Sequence, residues 1–348
     1  MAPGTINSMD LEAAQGGEEP PVFVFGVPRS GTTLLFRTLL RHSAFRPARP
    51  APGATLIESK VFQYAHADNV YLARLLASDP DAYPRYLRGT ALARAVNRTL
   101  AAPPVHAGVA RLPGALRATL WRGTGQARLV RKFFALLREA QGCRRVLEKT
   151  PIHYRYLPEI RATWPAARYI WIHRHPLDVY SSYLRRGRDE LPLTPAQGRR
   201  WLAVDAPEFT RRWRDGVQRM QAALREQPGN HYRIAYEAFV AAPREVFRTL
   251  CAFLGIPFEE QCVIGGQRSL ADPRDPLLSS AITAKPKAWQ RFLAPAIAME
   301  IQNALQPEMQ SLGYAPYAAV WVEAIPEPGY GSVGHLALPT NSRKCDNG

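Results

Sequence analysis

Pro21-Val-Phe-Val-Phe-Gly-Val27 is an unbroken run of β-branched and aromatic residues, bounded by a short loop. A run of that length suits a parallel strand buried on both faces. It leads through Pro28–Gly31 into a helix expected from about Thr32 to Arg41. The junction Gly26-Val-Pro-Arg-Ser-Gly31-Thr32-Thr33 has the G-x4-G-x-T skeleton of a phosphate-binding loop. Gly26 and Gly31 permit the tight turn, and backbone N–H groups at the helix start can then face one anion. The lysine that follows the second glycine in nucleotide triphosphatases is replaced by Thr32, and the cation sits inside the loop at Arg29. Without that lysine the loop loses its contact to β- and γ-phosphates. It remains suited to one phosphate and a neighbouring group.

A second junction repeats the theme. Tyr169–His173 reads as a strand, Arg174 leaves its carboxyl end, and Pro176 opens a helix in the first-turn position that proline favours. Asp178 suits the positive helix start, and Ser182 lies about one turn further on the same face. Arg174 and Ser182 can therefore close on one phosphate from two elements. A Walker-type ATPase would place a metal-holding carboxylate at such a strand end, where this chain has arginine. His173 and His175 form an H-x-H pair with no third ligand at metal-binding spacing.

Between and after the junctions, further strands are expected near Arg145–Glu148 and at His231–Ala235. Helices are expected near Tyr154–Thr163, over residues 196–226, at Pro243–Leu254 with Gly255 as the stop, and over about Ala294–Leu312. On the long helix, Phe209, Trp213, Val217, Met220 and Leu224 recur at core-facing spacing. Residues 57–141 hold no convincing strand and read as a proline-broken helical insertion. Residues 1–20 read as a flexible lead-in and 315–348 as a tail around a single domain over 21–314. Strands alternating with helices give an α/β fold: a P-loop-type parallel sheet flanked by helices, the insertion forming the acceptor side. Ligands on such sheets bind beyond the carboxyl ends of the strands.

Composition narrows the partners. Lys and Arg number 45 against 29 Asp and Glu, a formal net charge of +16, so an anionic partner is expected. No long basic block or aromatic-basic motif points to nucleic acid. Nothing is long and apolar enough to span a membrane, and the first 20 residues lack the cationic start and apolar run of a signal peptide. The four cysteines, Cys143, Cys251, Cys262 and Cys345, are scattered. They suit a reducing, cytoplasmic compartment better than a disulfide framework or zinc site.

The two junctions, in this order, resemble the 5′-phosphosulfate and 3′-phosphate motifs of sulfotransferases that use 3′-phosphoadenosine-5′-phosphosulfate (PAPS). The likeness is to the bacterial group similar to tyrosylprotein sulfotransferases. Leu147-Glu-Lys-Thr-Pro151 with His153, Tyr232-Arg-Ile-Ala-Tyr236-Glu and Phe253-Leu-Gly-Ile-Pro257 fit as well, so the likeness runs from about Val22 to Tyr314. It implies that Arg29, Ser30, Gly31, Thr32 and Thr33 hold the 5′-phosphosulfate, that Arg174 and Ser182 hold the 3′-phosphate, and that Tyr236 lies near the adenine. It further implies charge stabilisation by Lys149 and a closing loop around Ser280, Lys285 and Lys287. PAPS would be the cosubstrate and 3′,5′-adenosine bisphosphate (PAP) the product. The family's acidic doublet ahead of the helical segment has only Leu56-Ile-Glu58-Ser-Lys60 as its counterpart, further from the loop.

Sulfuryl transfer sets an acceptor oxygen, the sulfur and the leaving phosphate oxygen in line, and the protein mainly positions groups and neutralises charge. Arg29 and Lys149 are the cations expected at the leaving phosphate. Glu58 is the expected general base for the acceptor hydroxyl, with His153 and then His66 as alternatives. The acceptor itself is not legible, although Tyr64, Tyr71, Phe133 and Trp201 are candidates to line its pocket. Two rival readings share part of this pattern: a P-loop kinase for a small metabolite, and a non-catalytic polyanion-binding protein.

Overall fold

The computed structural model describes residues 19–46, 58–59, 61–62, 116, 127, 130–131, 133–135, 137–138, 142–190, 203–264, 282 and 289–317. Four of its elements are strands: β1 (Val22–Phe25), β2 (Leu147–Lys149), β3 (Arg168–His173) and β4 (His231–Ala235). They form one parallel sheet in the order β2-β1-β3-β4. Parallel neighbours need crossovers, and helices supply them. The helices are α1 (Thr32–Leu40), α2 (Leu157–Thr163), α3 (Pro176–Glu190), α4 (Ala206–Glu226), α5 (Tyr236–Ala241), α6 (Pro243–Leu254), α7 (Pro295–Ala304) and α8 (Gln306–Ser311). The α/β architecture expected from the strand-helix alternation is therefore present.

The central strand explains the sheet's two cores. Successive side chains of a strand point to opposite faces. In β1, Val22 and Val24 join Ile170, Ile172 and Ile234 on one face, packed against Leu35 and Leu39 of α1, Phe239 of α5, and Phe247, Leu250 and Leu254 of α6. The other face is aromatic. The ring of Phe23 lies 5.7 Å from Phe134, 5.8 Å from Trp164 and 6.1 Å from Tyr169. Because β1 is covered on both faces, all four of its residues are buried, as its unbroken apolar run requires.

Several boundaries differ from the sequence expectation. The strand after the insertion runs from Leu147 to Lys149, not from Arg145, so Lys149 is a strand residue. The helix expected near Tyr154 begins as a 3-10 turn over Pro151–Tyr156 before α2. The terminal helix is two helices, α7 and α8, parted at Leu305. Pro307 has no N–H to donate back, and its ring opposes continuation through that turn. On α4 the buried stripe is Phe209, Trp213, Val217, Met220 and Ala223 rather than Leu224. α6 does end at Gly255, in the left-handed conformation.

Within 57–141, the described positions from Val61 onward are helical. The lead-in before Glu19, the rest of the insertion, residues 196–202 of the long helical region and the tail beyond Tyr317 lie outside the described residues. The chain through Pro316 forms one compact unit, and Tyr317–Gly348 is a second. Among the described residues, no helix is long and apolar enough to cross a membrane.

Candidate active site

The sheet order fixes where a ligand can sit. From β1 the chain passes to β2 on one side, then returns across β1 to β3 on the other. Connections leaving β1 and β3 therefore part in opposite directions. The crevice beyond their carboxyl ends is the topological switch point of a doubly wound sheet. Both arginine-bearing junctions, Gly26–Gly31 after β1 and Arg174–His175 after β3, open there. The cleft lined by Pro20, Pro21, Arg131, Phe134, Val146 and Trp164 lies at the opposite, amino end of the strands.

Close packing shapes the first loop. A Cβ on Gly26 would stand 2.2 Å from the carbonyl oxygen of Ile172, so only glycine lets β1 leave the sheet this close to β3. Gly31 has φ 98°, and a Cβ there would stand 2.4 Å from the ring of Tyr236. Arg29 is the only non-glycine with positive φ among the described residues, at 76°. Left-handed backbone costs an L-residue about 1–2 kcal/mol, and here it turns the arginine side chain towards the second junction. Its Nε donates to Ser182 Oγ on α3 at 3.1 Å. That contact joins the two junctions across 153 residues.

Arg174 lies over the ring of Tyr236, 4.3 Å from its centroid, and its guanidinium is 4.0 Å from Asp178. Tyr236 thus bridges the two loops, touching Gly31 on one side and Arg174 on the other. Ser182, expected beside Arg174, is instead found with Arg29. Glu237 accepts the backbone N–H of His175 at 3.0 Å and the hydroxyl of Tyr314 at 2.9 Å. His173 Nδ1 is 2.9 Å from the same hydroxyl. The two histidines of the H-x-H pair therefore brace the junction from behind.

A third cation completes the rim. Lys149, 1% exposed at the end of β2, donates to Glu58 Oε1 at 2.8 Å and to Thr33 Oγ1 at 3.2 Å. Lys149 pairs with Glu58 and not with its chain neighbour Glu148, because adjacent strand residues point to opposite faces. Burial pulls the Lys149 ammonium below the ordinary lysine value, and the carboxylate of Glu58 opposes that shift without cancelling it. Glu58 keeps a side-chain exposure of 34%, so it can meet both Lys149 and a molecule from solvent.

His153 is placed differently. It is 0% exposed, its Nδ1 lies 2.9 Å from Glu148 Oε2, and its ring meets the edge of Phe62. An ionised carboxylate only accepts, so Nδ1 carries the hydrogen. Its ring is sealed on the aromatic face of the sheet, whereas the Glu58 side chain is 34% exposed, so the geometry favours Glu58 over His153 as the group that meets a molecule from solvent. Phe133, a candidate pocket residue, is 2% exposed and packs on Phe134. Ser280, Lys285, Lys287, His66, Tyr64, Tyr71 and Trp201 lie outside the described residues. Glu148, Ser59, Glu237 and Tyr314 were not singled out from the sequence. The signal for the first three was their place in the motif stretches: Glu148 beside Lys149, Ser59 beside Glu58 and Glu237 beside Tyr236.

The donor set can be tested against a doubly phosphorylated nucleotide. Ser30 Oγ and Arg174 Nε are buried polar atoms without a hydrogen-bond partner among the described residues. Buried polar groups are ordinarily paired, so each has a donor to give. Together with Thr32, Thr33 and the turn's backbone, they fit anionic oxygens.

Comparison with known proteins bears on the family and the fold. A model of the sulfotransferase family matches residues 20–260. An uncharacterised protein of Aquifex aeolicus is 25% identical over 262 residues, covering 72% of this chain, which spans only 28% of that relative's length. The sulfotransferase domain from the curacin biosynthetic pathway superposes with a TM-score of 0.53 at 20% identity, over 86% of this chain and 99% of that domain. A sulfotransferase of Mycobacterium avium gives a TM-score of 0.47 at 15% identity, over 88% and 80% of the two chains. With the match extending over more than half of its length, the chain belongs to the sulfotransferase family.

Proposed function

We propose that this chain transfers a sulfuryl group from PAPS to an acceptor hydroxyl, in line and without a metal. The observation that carries this reading is the hydrogen bond from Arg29 to Ser182. It brings two anion-binding junctions to one rim, as a nucleotide with phosphates at both ends of its ribose requires. Arg29, Ser30, Gly31, Thr32 and Thr33 would hold the 5′ end. Arg174 would hold the 3′-phosphate, Ser182 standing where it can serve either, and Tyr236 offers a ring near the base.

When bound, PAPS supplies a sulfuryl group on a good phosphate leaving group. The residues do the rest. Glu58 takes the proton of the acceptor hydroxyl as its oxygen bonds to sulfur. Lys149, Arg29 and the N–H groups of the loop offset the charge that grows on the departing phosphate oxygen. A sulfuryl group carries one negative charge, fewer than a terminal phosphoryl, so these cations suffice in place of a metal ion.

Binding and transfer are tested separately. In a thermal-shift screen, PAP should stabilise the protein more than ATP with magnesium or duplex DNA does, since specific ligands stabilise by mass action. Preference for ATP with magnesium would favour the kinase, and preference for DNA the polyanion binder. Labelled PAPS, offered with a panel of a phenol, an alcohol, a sugar and a tyrosine peptide, should label at least one of them. That labelling should survive EDTA, and its loss would overturn the metal-free mechanism.

A further inference from the structure

We infer that Glu148 and Ser59 form a positioning clamp that places Glu58 on Lys149. This rests on the proposed function, since it assigns Glu58 and Lys149 their work. Consecutive residues 58 and 59 straddle consecutive residues 149 and 148. Glu58 meets Lys149 on the α1 side of the sheet, where the ammonium also reaches Thr33. Ser59 meets Glu148 on the aromatic side, its hydroxyl donating to Oε1 at 2.7 Å and its backbone N–H at 3.3 Å. Because strand neighbours face opposite ways, the segment is gripped from both faces.

The grip is built to last. Glu148 is 2% exposed, yet both carboxylate oxygens are engaged: Thr150 Oγ1 donates to Oε1 at 2.6 Å, and His153 lies 2.9 Å from Oε2. Burial by itself would push this carboxyl up. His153 and the hydrogen bonds from Thr150 and Ser59 outweigh that and hold it below its ordinary value, hence ionised. Ser59 Oγ in turn accepts the N–H of Val61 at 3.2 Å, where the chain becomes helical. Phe62, also 0% exposed, presses its ring on His153 and Phe23. The clamp therefore ties the base-bearing segment to β2 across 89 residues of sequence. Glu148 and Ser59 touch no reacting atom, and they act through Glu58.

The test compares Ser59→Ala and Glu148→Gln in the full chain, alone and with Glu58→Gln. Three quantities are measured: hydrogen exchange at the amides of Ser59 and Val61, PAP affinity by calorimetry, and release of label from PAPS with the acceptor found above or with water alone. Ser59→Ala removes one hydroxyl and keeps the rest of the network, so it guards against a Glu148→Gln protein that does not fold. A misplacement of about 1 Å can slow an enzyme by as much as roughly a hundredfold. The expected results are exchange faster by at least about fivefold, PAP affinity within about twofold of wild type, and turnover down about tenfold in Ser59→Ala. That tenfold loss should vanish when Glu58 is already Gln, since there is no base left to position. Unchanged exchange, or a Ser59→Ala loss that persists in full in the Glu58→Gln background, would overturn the clamp. A wild-type protein that neither binds PAP nor consumes PAPS would overturn the functional reading instead, and the exchange rates would then decide the clamp on their own.

Discussion

Lys149 is nearly sealed from solvent but still joined to two partners, Glu58 and Thr33. A buried ammonium is held in place by such bonds, and removing its counter-charge leaves it uncompensated. Glu58→Gln should therefore act on turnover: kcat falls by roughly a hundredfold or more, while PAP affinity by calorimetry stays within about twofold. Near-normal turnover would remove Glu58 from the base role. Arg174 is assigned to binding in the proposed function. Hydrogen bonds to charged groups are worth about 1.5–3 kcal/mol, and 1.4 kcal/mol is tenfold in affinity. Arg174→Ala should weaken PAP binding by at least about tenfold and release the Tyr236 ring it covers, with the KM for the acceptor little changed. An unaltered PAP affinity would refute the second phosphate site. Arg29 and Arg174 were legible from the sequence as cations at strand ends, while Lys149 was marked only by the family resemblance and its place in β2 came from the structure. The sealed state of His153 was not legible, because it depends on Phe62, which reaches it from a distant segment.

At the scale of elements, the proposed function rests on the junctions, and their glycines answer to different demands. Gly26 is needed for space alone, where β1 passes the carbonyl of Ile172. Gly31 is needed for both φ and space, at the start of α1 against Tyr236. Gly31→Ala should lower stability by about 1–2 kcal/mol from backbone strain, read by urea denaturation. It should also weaken PAP binding, because the added methyl displaces Tyr236 and with it Arg174. Gly26→Ala meets backbone rather than a movable ring, so its loss of stability should be larger than that of Gly31→Ala. The sequence located β1, β3, β4 and α6 well, since apolar runs and a terminal glycine are local signals. It merged α7 with α8 because the apolar period runs through Leu305, and it placed β2 too early because Arg145 and Val146 read as strand while the register with β1 begins at Leu147.

Across the whole molecule, stability is tied to acidity through two buried histidines. Burial, reinforced by Arg233, pulls His173 down to about 3, and burial with Arg161 does the same to His231. Above the ordinary histidine value of about 6.5 both states are neutral and nothing is lost. Below it the unfolded chain binds protons that the folded chain refuses, so stability falls as pH drops from about 6.5 towards 3. The slope is at most about 1.4 kcal/mol per pH unit for each histidine. Melting temperature should fall steadily from pH 7 to pH 4, and His231→Gln should flatten that fall. A pH-independent melting temperature over that range would refute the linkage. The strand-loop-helix junctions, the parallel α/β class and the arginines at two strand ends are written in neighbouring residues and could be read from the chain alone. It took the folded chain to show that Arg29 reaches Ser182, that Lys149 pairs with Glu58, and that Ser59 closes on Glu148. Those contacts join residues 89 to 153 positions apart, and they exist only once the sheet order has brought the carboxyl ends of its strands to one rim.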